Sequence, residues 1–378
     1  MPVRPLPPNP SLDHLKHQAK DLLRDHAART PDTAQRLREF HPRFRHSTDH
    51  EIFDAKLTLS DAQLTIARQS GYPSWPRLKR HIEKPSLTDR LDLPHHERIE
   101  DAVFRHAVDL IDAGNAKALR AWLKQHPKLV HQHITFEGRN YFHNPTLIQF
   151  VAENPIRRGT MPANIVEVTE AILDANPTLS EREVTLALVA TGSVPQQCRR
   201  QVPLIDLLCD HGVDPSTAME PAALHGTFEA LAALIRRGGR ISLPVAATLG
   251  NLDEVRRLLP SADSRERQIA LSQAANQGHL EIVRLLLDAG ADPDRYNPLG
   301  GHSHGTPLHQ AAGYGHFDVV RLIVERGAKL NQKDVLWCGT PADWAEHEGR
   351  TEVAAYLRAE EKKRESMTQK MTTAAPPP

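Results

Sequence analysis

Apolar residues in the C-terminal two thirds of the chain come in short bursts at helical spacing, each closed by a glycine. Val319, Val320, Leu322 and Ile323 predict one apolar helix face, and Gly327 ends it. Just upstream, Leu308, Ala311 and Ala312 predict a shorter partner helix. Thr306 is a helix cap there, Pro307 fits the first helical position, and Gly315 suits the exit turn. Neither helix buries its face alone, so the pattern predicts hairpins that stack on their neighbours.

The pattern repeats. Gly278 to Pro293 (GHLEIVRLLLDAGADP) parallels Gly315 to Leu330 (GHFDVVRLIVERGAKL). Gly305-Thr306-Pro307-Leu308-His309 opens one unit, and Gly339-Thr340-Pro341 opens another 34 residues on. These residues resemble the ankyrin repeat, whose signature contains Thr-Pro-Leu-His-x-Ala at a period of about 33. Weaker copies run backward through Gly250-Asn251-Leu252-Asp253, Gly226-Thr227-Phe228-Glu229, Leu204–Cys209 and Asn164–Leu173 to Phe104–Leu123. The resemblance implies an all-α fold: a solenoid of about eight helix-turn-helix units, some with β-turn fingers. The array is irregular. Gly226 to Gly250 spans 24 residues and Gly278 to Gly315 spans 37, so some joints lack a finger and one is extended.

Residues 1–92 read as a separate small helical bundle and linker, residues 93–358 as the array, and residues 359–378 as a disordered tail. In the bundle, Leu12 to Arg29, Ala34 to Phe40, Asp61 to Ser70 and Arg77 to Ile82 are expected helices. This segment is similar to the helical stretch that precedes ankyrin repeats in bacterial proteins.

Composition narrows the chemistry. Lys+Arg and Asp+Glu are both 47, a balance that weighs against a protein coating nucleic acid. Residues 1–92 hold 16 basic and 12 acidic residues, and the basic helix at 77–82 is the alternative DNA-binding element. Three cysteines are too few for a disulfide scaffold and suggest a reducing, cytoplasmic setting. No apolar run is long enough to span a membrane.

The 22 histidines invite a metal or catalytic reading, but no CxxC, HExxH or nucleophile elbow accompanies them. We therefore expect no cofactor, no metal and no catalytic residue. The resemblance implies structural roles for His309, His279 and His316. It also implies a concave binding surface built from finger tips and first helices. Tyr296, His302, His304, Tyr314, Leu336, Trp337 and His347 are the candidate partner-binding residues there, with another protein as the expected partner. Aromatic residues are only 5% of the chain, so Trp337 at a finger tip suggests an anchor. The alternative is an enzyme or a small-molecule pocket in the enlarged second and third units, around Tyr141, His143, Asn144, Glu153, Asn154 and Arg157.

Overall fold

The structure is a computed structural model that describes residues 6, 10–83, 93–136, 141–298 and 303–373. Every regular element among the described residues is an α- or 3-10 helix, and none of them forms a strand. The chain divides into two compact units, residues 1–213 and 214–378. That division falls inside the stretch the sequence presents as one array.

The first unit opens with α1 (Leu12–Ala27), α2 (Pro31–Phe40), α3 (Asp49–Asp54), α4 (Leu59–Gln69) and α5 (Trp75–Glu83). Leu15, Leu22, Leu37, Ile52, Ile66, Tyr72 and Leu78 form their common core, with Trp75 half-buried against it. Two details differ from expectation. Helix α4 starts at Leu59, two residues before the expected Asp61, because Thr58 caps it and bonds reciprocally with Asp61: the Asp61 N–H donates to Thr58 Oγ1 at 3.2 Å, and the Thr58 N–H donates to Asp61 Oδ2 at 2.9 Å. The six-residue helix α3 is too short to show a period; a Thr48–Glu51 capping box starts it. The linker expected at the end of residues 1–92 lies outside the described residues.

The rest of this unit holds α6 (Ala102–Asp112), α7 (Ala116–Gln125), a 3-10 helix (Leu147–Ala152), α8 (Ile165–Leu173), α9 (Leu179–Thr191), α10 (Ser193–Gln197) and α11 (Gln201–Asp210). The 3-10 helix packs between α6 and α9, where a first helix of a hairpin belongs, while α8 packs on α7 and α11. Phe104 of α6 meets Phe150 edge-on at 5.8 Å, and Phe150 meets Phe142 at 5.2 Å.

The second unit is a run of hairpins: α12 (Ser216–Leu224) with α13 (Phe228–Arg236), α14 (Leu243–Thr248) with α15 (Leu252–Leu258), α16 (Ser264–Gln277) with α17 (Leu280–Asp288), α18 (Pro307–Tyr314) with α19 (Phe317–Glu325), and α20 (Pro341–His347) with α21 (Thr351–Thr373). First helices pack side by side in the order α14, α16, α18, α20; second helices do the same from α15 to α21. Leu271, Leu286, Leu308, Val320, Ile323 and Leu357 belong to one continuous core between the rows. Each such side chain contributes about 1.5–3 kcal/mol on burial.

The inter-helix turns interlock. His279 Nε2 donates to Thr248 O at 3.1 Å, and His316 Nε2 donates to Asn276 O at 2.8 Å, each reaching into the preceding turn. Gly278 has φ +79°, and a Cβ there would lie 2.6 Å from His316 Nδ1, so only glycine fits beneath the imidazole. In the first unit, Asn164 takes the equivalent place: its Nδ2 donates to Gly114 O at 2.8 Å.

The tail departs from expectation. Helix α21 continues past residue 358 to Thr373. Its Ala, Glu, Lys and Arg residues are strong helix formers, and Arg364 donates to Ala328 O at 2.6 Å and Val324 O at 2.8 Å. Those bonds tie α21 to the end of α19 and to the turn that follows it.

Candidate functional site

The finger before α20 is organised by one buried side chain. Asp334 is 2% exposed. Its Oδ1 accepts the N–H groups of Leu336 and Trp337 at 2.8 and 2.7 Å. Its Oδ2 accepts the Gly339 N–H at 2.8 Å and the Trp344 indole N–H at 2.9 Å. Burial is the largest influence on this carboxyl and favours the protonated form. The hydrogen bonds from Trp337, Trp344, Leu336 and Gly339 together outweigh it, so the group ionises below the usual carboxylate range.

Next to it, His309 is fully buried, and burial lowers its tendency to protonate. The Thr306 N–H donates to its Nδ1 at 3.2 Å, so Nε2 carries the hydrogen and donates to Gly339 O at 3.2 Å. Neighbouring fingers are also tied together: the Val335 N–H donates to His304 O at 2.9 Å.

This framework sets three rings around one another. His304 lies 5.6 Å from both Trp337 and Trp344, edge-on to the first and stacked on the second. Trp337 and Trp344 are 5.9 Å apart at 65°. Glycines make room for Trp344: a Cβ on Gly313 or Gly339 would stand 3.3 Å from its ring. The rings open onto a groove of about 790 Å3 whose walls include Gln310, Tyr314, Asp343, His347, Glu348 and Arg350. Trp337 is 68% exposed and Tyr314 57% exposed.

Four of the sequence candidates therefore share one groove: His304, Tyr314, Trp337 and His347. Tyr296 does not line it. Its hydroxyl donates to Lys333 O and ties the two fingers together. Leu336 is half-buried and also lies off the groove walls, and His302 is outside the described residues. Sequence reasoning missed Trp344, Asp334 and Gln310. A signal for Trp344 was present: Thr306-Pro307 and Thr340-Pro341 align, which places Trp344 in register with Gln310 on the same face of successive first helices.

Residues 243–334 match the family described as ankyrin repeats (3 copies). That segment carries α14 to α19 and ends at Asp334, so it supplies His304, Gln310 and Tyr314. No curated protein matches the chain. Ankyrin repeats serve in general as protein-interaction modules.

The second candidate cluster lies in the first unit. Arg157 donates to Asp112 Oδ1 at 2.8 Å and Oδ2 at 3.2 Å, and lies 2.5 Å from Glu153. Glu153 Oε2 also accepts the backbone N–H groups of Arg157 and Arg158. These groups border a cavity of about 150 Å3. Tyr141 and Asn154 form a second pair: the Tyr141 hydroxyl donates to Asn154 Oδ1 at 2.6 Å, and Asn154 Nδ2 donates to Leu188 O and Thr191 Oγ1. His143 and Asn144 stand apart from both; His143 pairs with Phe136 O, and Asn144 accepts from Thr135. So the six candidates split into a buried ion-pair cluster, a tyrosine–asparagine link and a loop brace.

In the basic helix, Leu78 is buried, Lys79 and Arg80 are exposed, and Lys79 pairs with Glu83 at 3.7 Å. Among the described residues, no cluster of three or more His, Cys, Asp or Glu is placed to hold a metal, and no helix is long and apolar enough to cross a membrane.

Proposed function

We propose that the protein is a non-enzymatic binding scaffold for another protein, and that the groove between α18 and α20 is its recognition surface. The hairpins from α6 to α21 are then eight ankyrin units, the second with a 3-10 helix in place of its first α-helix. The observation that carries this reading is the exposure of Trp337 and Tyr314 on a preorganised wall. Their neighbours are held by hydrogen bonds to Asp334 and His309, so binding orders little that is not already ordered.

The small-molecule alternative draws less support. Its cavity of about 150 Å3 is below the roughly 300 Å3 of ordinary ligand sites, and its charges already face one another. The DNA-binding alternative rests on two exposed cations of α5, one of them paired. None of the three cysteines is disulfide-bonded, which fits a cytoplasmic scaffold.

The test is capture of partners by the full chain and by Trp337→Ala, followed by affinity measurement on any protein retained. Loss of an aromatic anchor should weaken binding about thirtyfold. A partner bound equally by both forms would move the recognition surface elsewhere.

A further inference from the structure

We infer that the groove takes a basic segment of its partner, with an arginine side chain laid across the exposed face of Trp337. This rests on the protein-binding reading and adds the chemistry of the ligand.

Three observations lead there. The chain as a whole is neutral, but residues 334–352 carry Asp334, Asp343, Glu346, Glu348 and Glu352 against Arg350 alone, a net charge of −4. The positive groups close to the groove are already engaged: Arg358 pairs with Asp343 and reaches Glu346 at 3.8 Å, and Arg350 lies over the turn at Gly315 with its Nε donating to Gly313 O at 3.4 Å. Glu348, exposed on the groove wall, has no ion pair among the described residues.

The aromatic surface supplies the complement. The Trp337 ring meets His304 at 87° and Trp344 at 65°, and about two thirds of its surface stays in solvent. The negative π face of an indole attracts a cation. A guanidinium suits the site better than an ammonium, because it stacks flat on the ring and still presents a fork of N–H donors to a carboxylate such as Glu348. Tyr314, also exposed, extends the platform for the aliphatic stem. An acidic segment meets a repulsive field here, and a purely apolar one leaves Glu348 unused.

The experiment is selection of a phage-displayed random dodecapeptide library on the immobilised full chain, with counter-selection on Trp337→Ala. Peptides that depend on Trp337 should be enriched in arginine. For a representative peptide, arginine→norleucine should weaken binding about tenfold and Glu348→Gln about threefold. Trp337-dependent peptides that lack arginine enrichment, or that keep their affinity with norleucine, would overturn the basic-ligand inference and leave the groove as a protein-binding surface. Selection of no Trp337-dependent peptide would overturn it as well. Partner capture with Trp337→Ala would then decide the broader reading separately.

Discussion

The buried carboxylate of Asp334 accepts the indole N–H of Trp344 at 2.9 Å, so the side chain that folds the finger also aims the ring in the groove. The same carboxylate holds the backbone of Trp337. Finger and first helix are thereby set as one piece. Asp334→Asn keeps the shape but turns an amide NH2 toward two N–H donors. It should cost about 2–4 kcal/mol and shift the fluorescence of the Trp337–Trp344 pair. Because the carboxyl ionises below its ordinary value, its stabilisation is complete above the unfolded pKa near 3.9 and is lost as pH falls through the lower folded value. In Asp334→Asn, that acid-side loss should be smaller, which denaturant titrations at stepped pH will read.

The two tryptophans should separate stability from recognition. Trp344→Ala removes a half-buried ring and one of the four donors to Asp334, and should destabilise by about 2–3 kcal/mol. Trp337→Ala removes an exposed ring and should change stability by no more than about 0.5 kcal/mol. Equal losses in the two unfolding midpoints would show that Trp337 serves packing.

The stacked turns give a paired test. Gly278→Ala must adopt φ +79° and displace His316, losing the bond to Asn276, for a combined cost of about 2–3 kcal/mol. Gly327→Ala has nearly the same φ, +88°, but no atom within 4 Å, so only the backbone term of about 1–2 kcal/mol applies. Chemical denaturation of the two variants should therefore differ by about 1 kcal/mol.

In the first unit, the Arg157 side chain is 1% exposed, with the Asp112 side chain at 8% and the Glu153 side chain at 4%. Arg157→Leu removes the cation shared by two buried carboxylates, leaving only Arg158 at 3.7 Å from Asp112, and should cost about 3–5 kcal/mol. Arg157→Lys, which keeps a cation, should recover part of that loss in denaturant unfolding; equal losses in the two variants would assign the effect to packing alone.

His95 sits edge-on to Phe136 at 4.8 Å and to Phe142 at 5.2 Å. Burial, followed by the charges of Arg98, Arg157 and His96, pushes its pKa down to about 4. The unfolded chain, with a His pKa near 6.5, binds this proton more readily, so stability falls as pH drops from about 6.5 to about 4. His95→Phe keeps a ring in the aromatic cluster without the proton and should flatten that slope, leaving the part due to His41, His96 and His309, whose pKa values burial also lowers. An unchanged pH profile would exclude His95 as a contributor.

Local pattern was enough to mark α17 to α20. Capping residues, helical apolar spacing and turn glycines act over fewer than ten residues, so they are written in neighbouring letters, and the 34-residue spacing of Thr306-Pro307 and Thr340-Pro341 exposes the repeat. The same logic singled out Trp337 and Tyr314 as residues that stacking does not require, and both are exposed. It failed where the structure is not periodic. The 3-10 helix Leu147–Ala152 is buried throughout and has no polar face to reveal a period. Helix α21 outran the array because Arg364 found carbonyls more than thirty residues away.

Which candidates share a site was a question of distance, and distance is tertiary. Tyr296 and His304 come from one finger, yet the Tyr296 hydroxyl is spent on Lys333 O while the His304 ring lines the groove. Asp334 reads in the sequence as an ordinary polar loop residue. Only folding encloses it with four N–H donors, and the free energy of satisfying that buried charge decides where the finger, Trp337 and Trp344 stand.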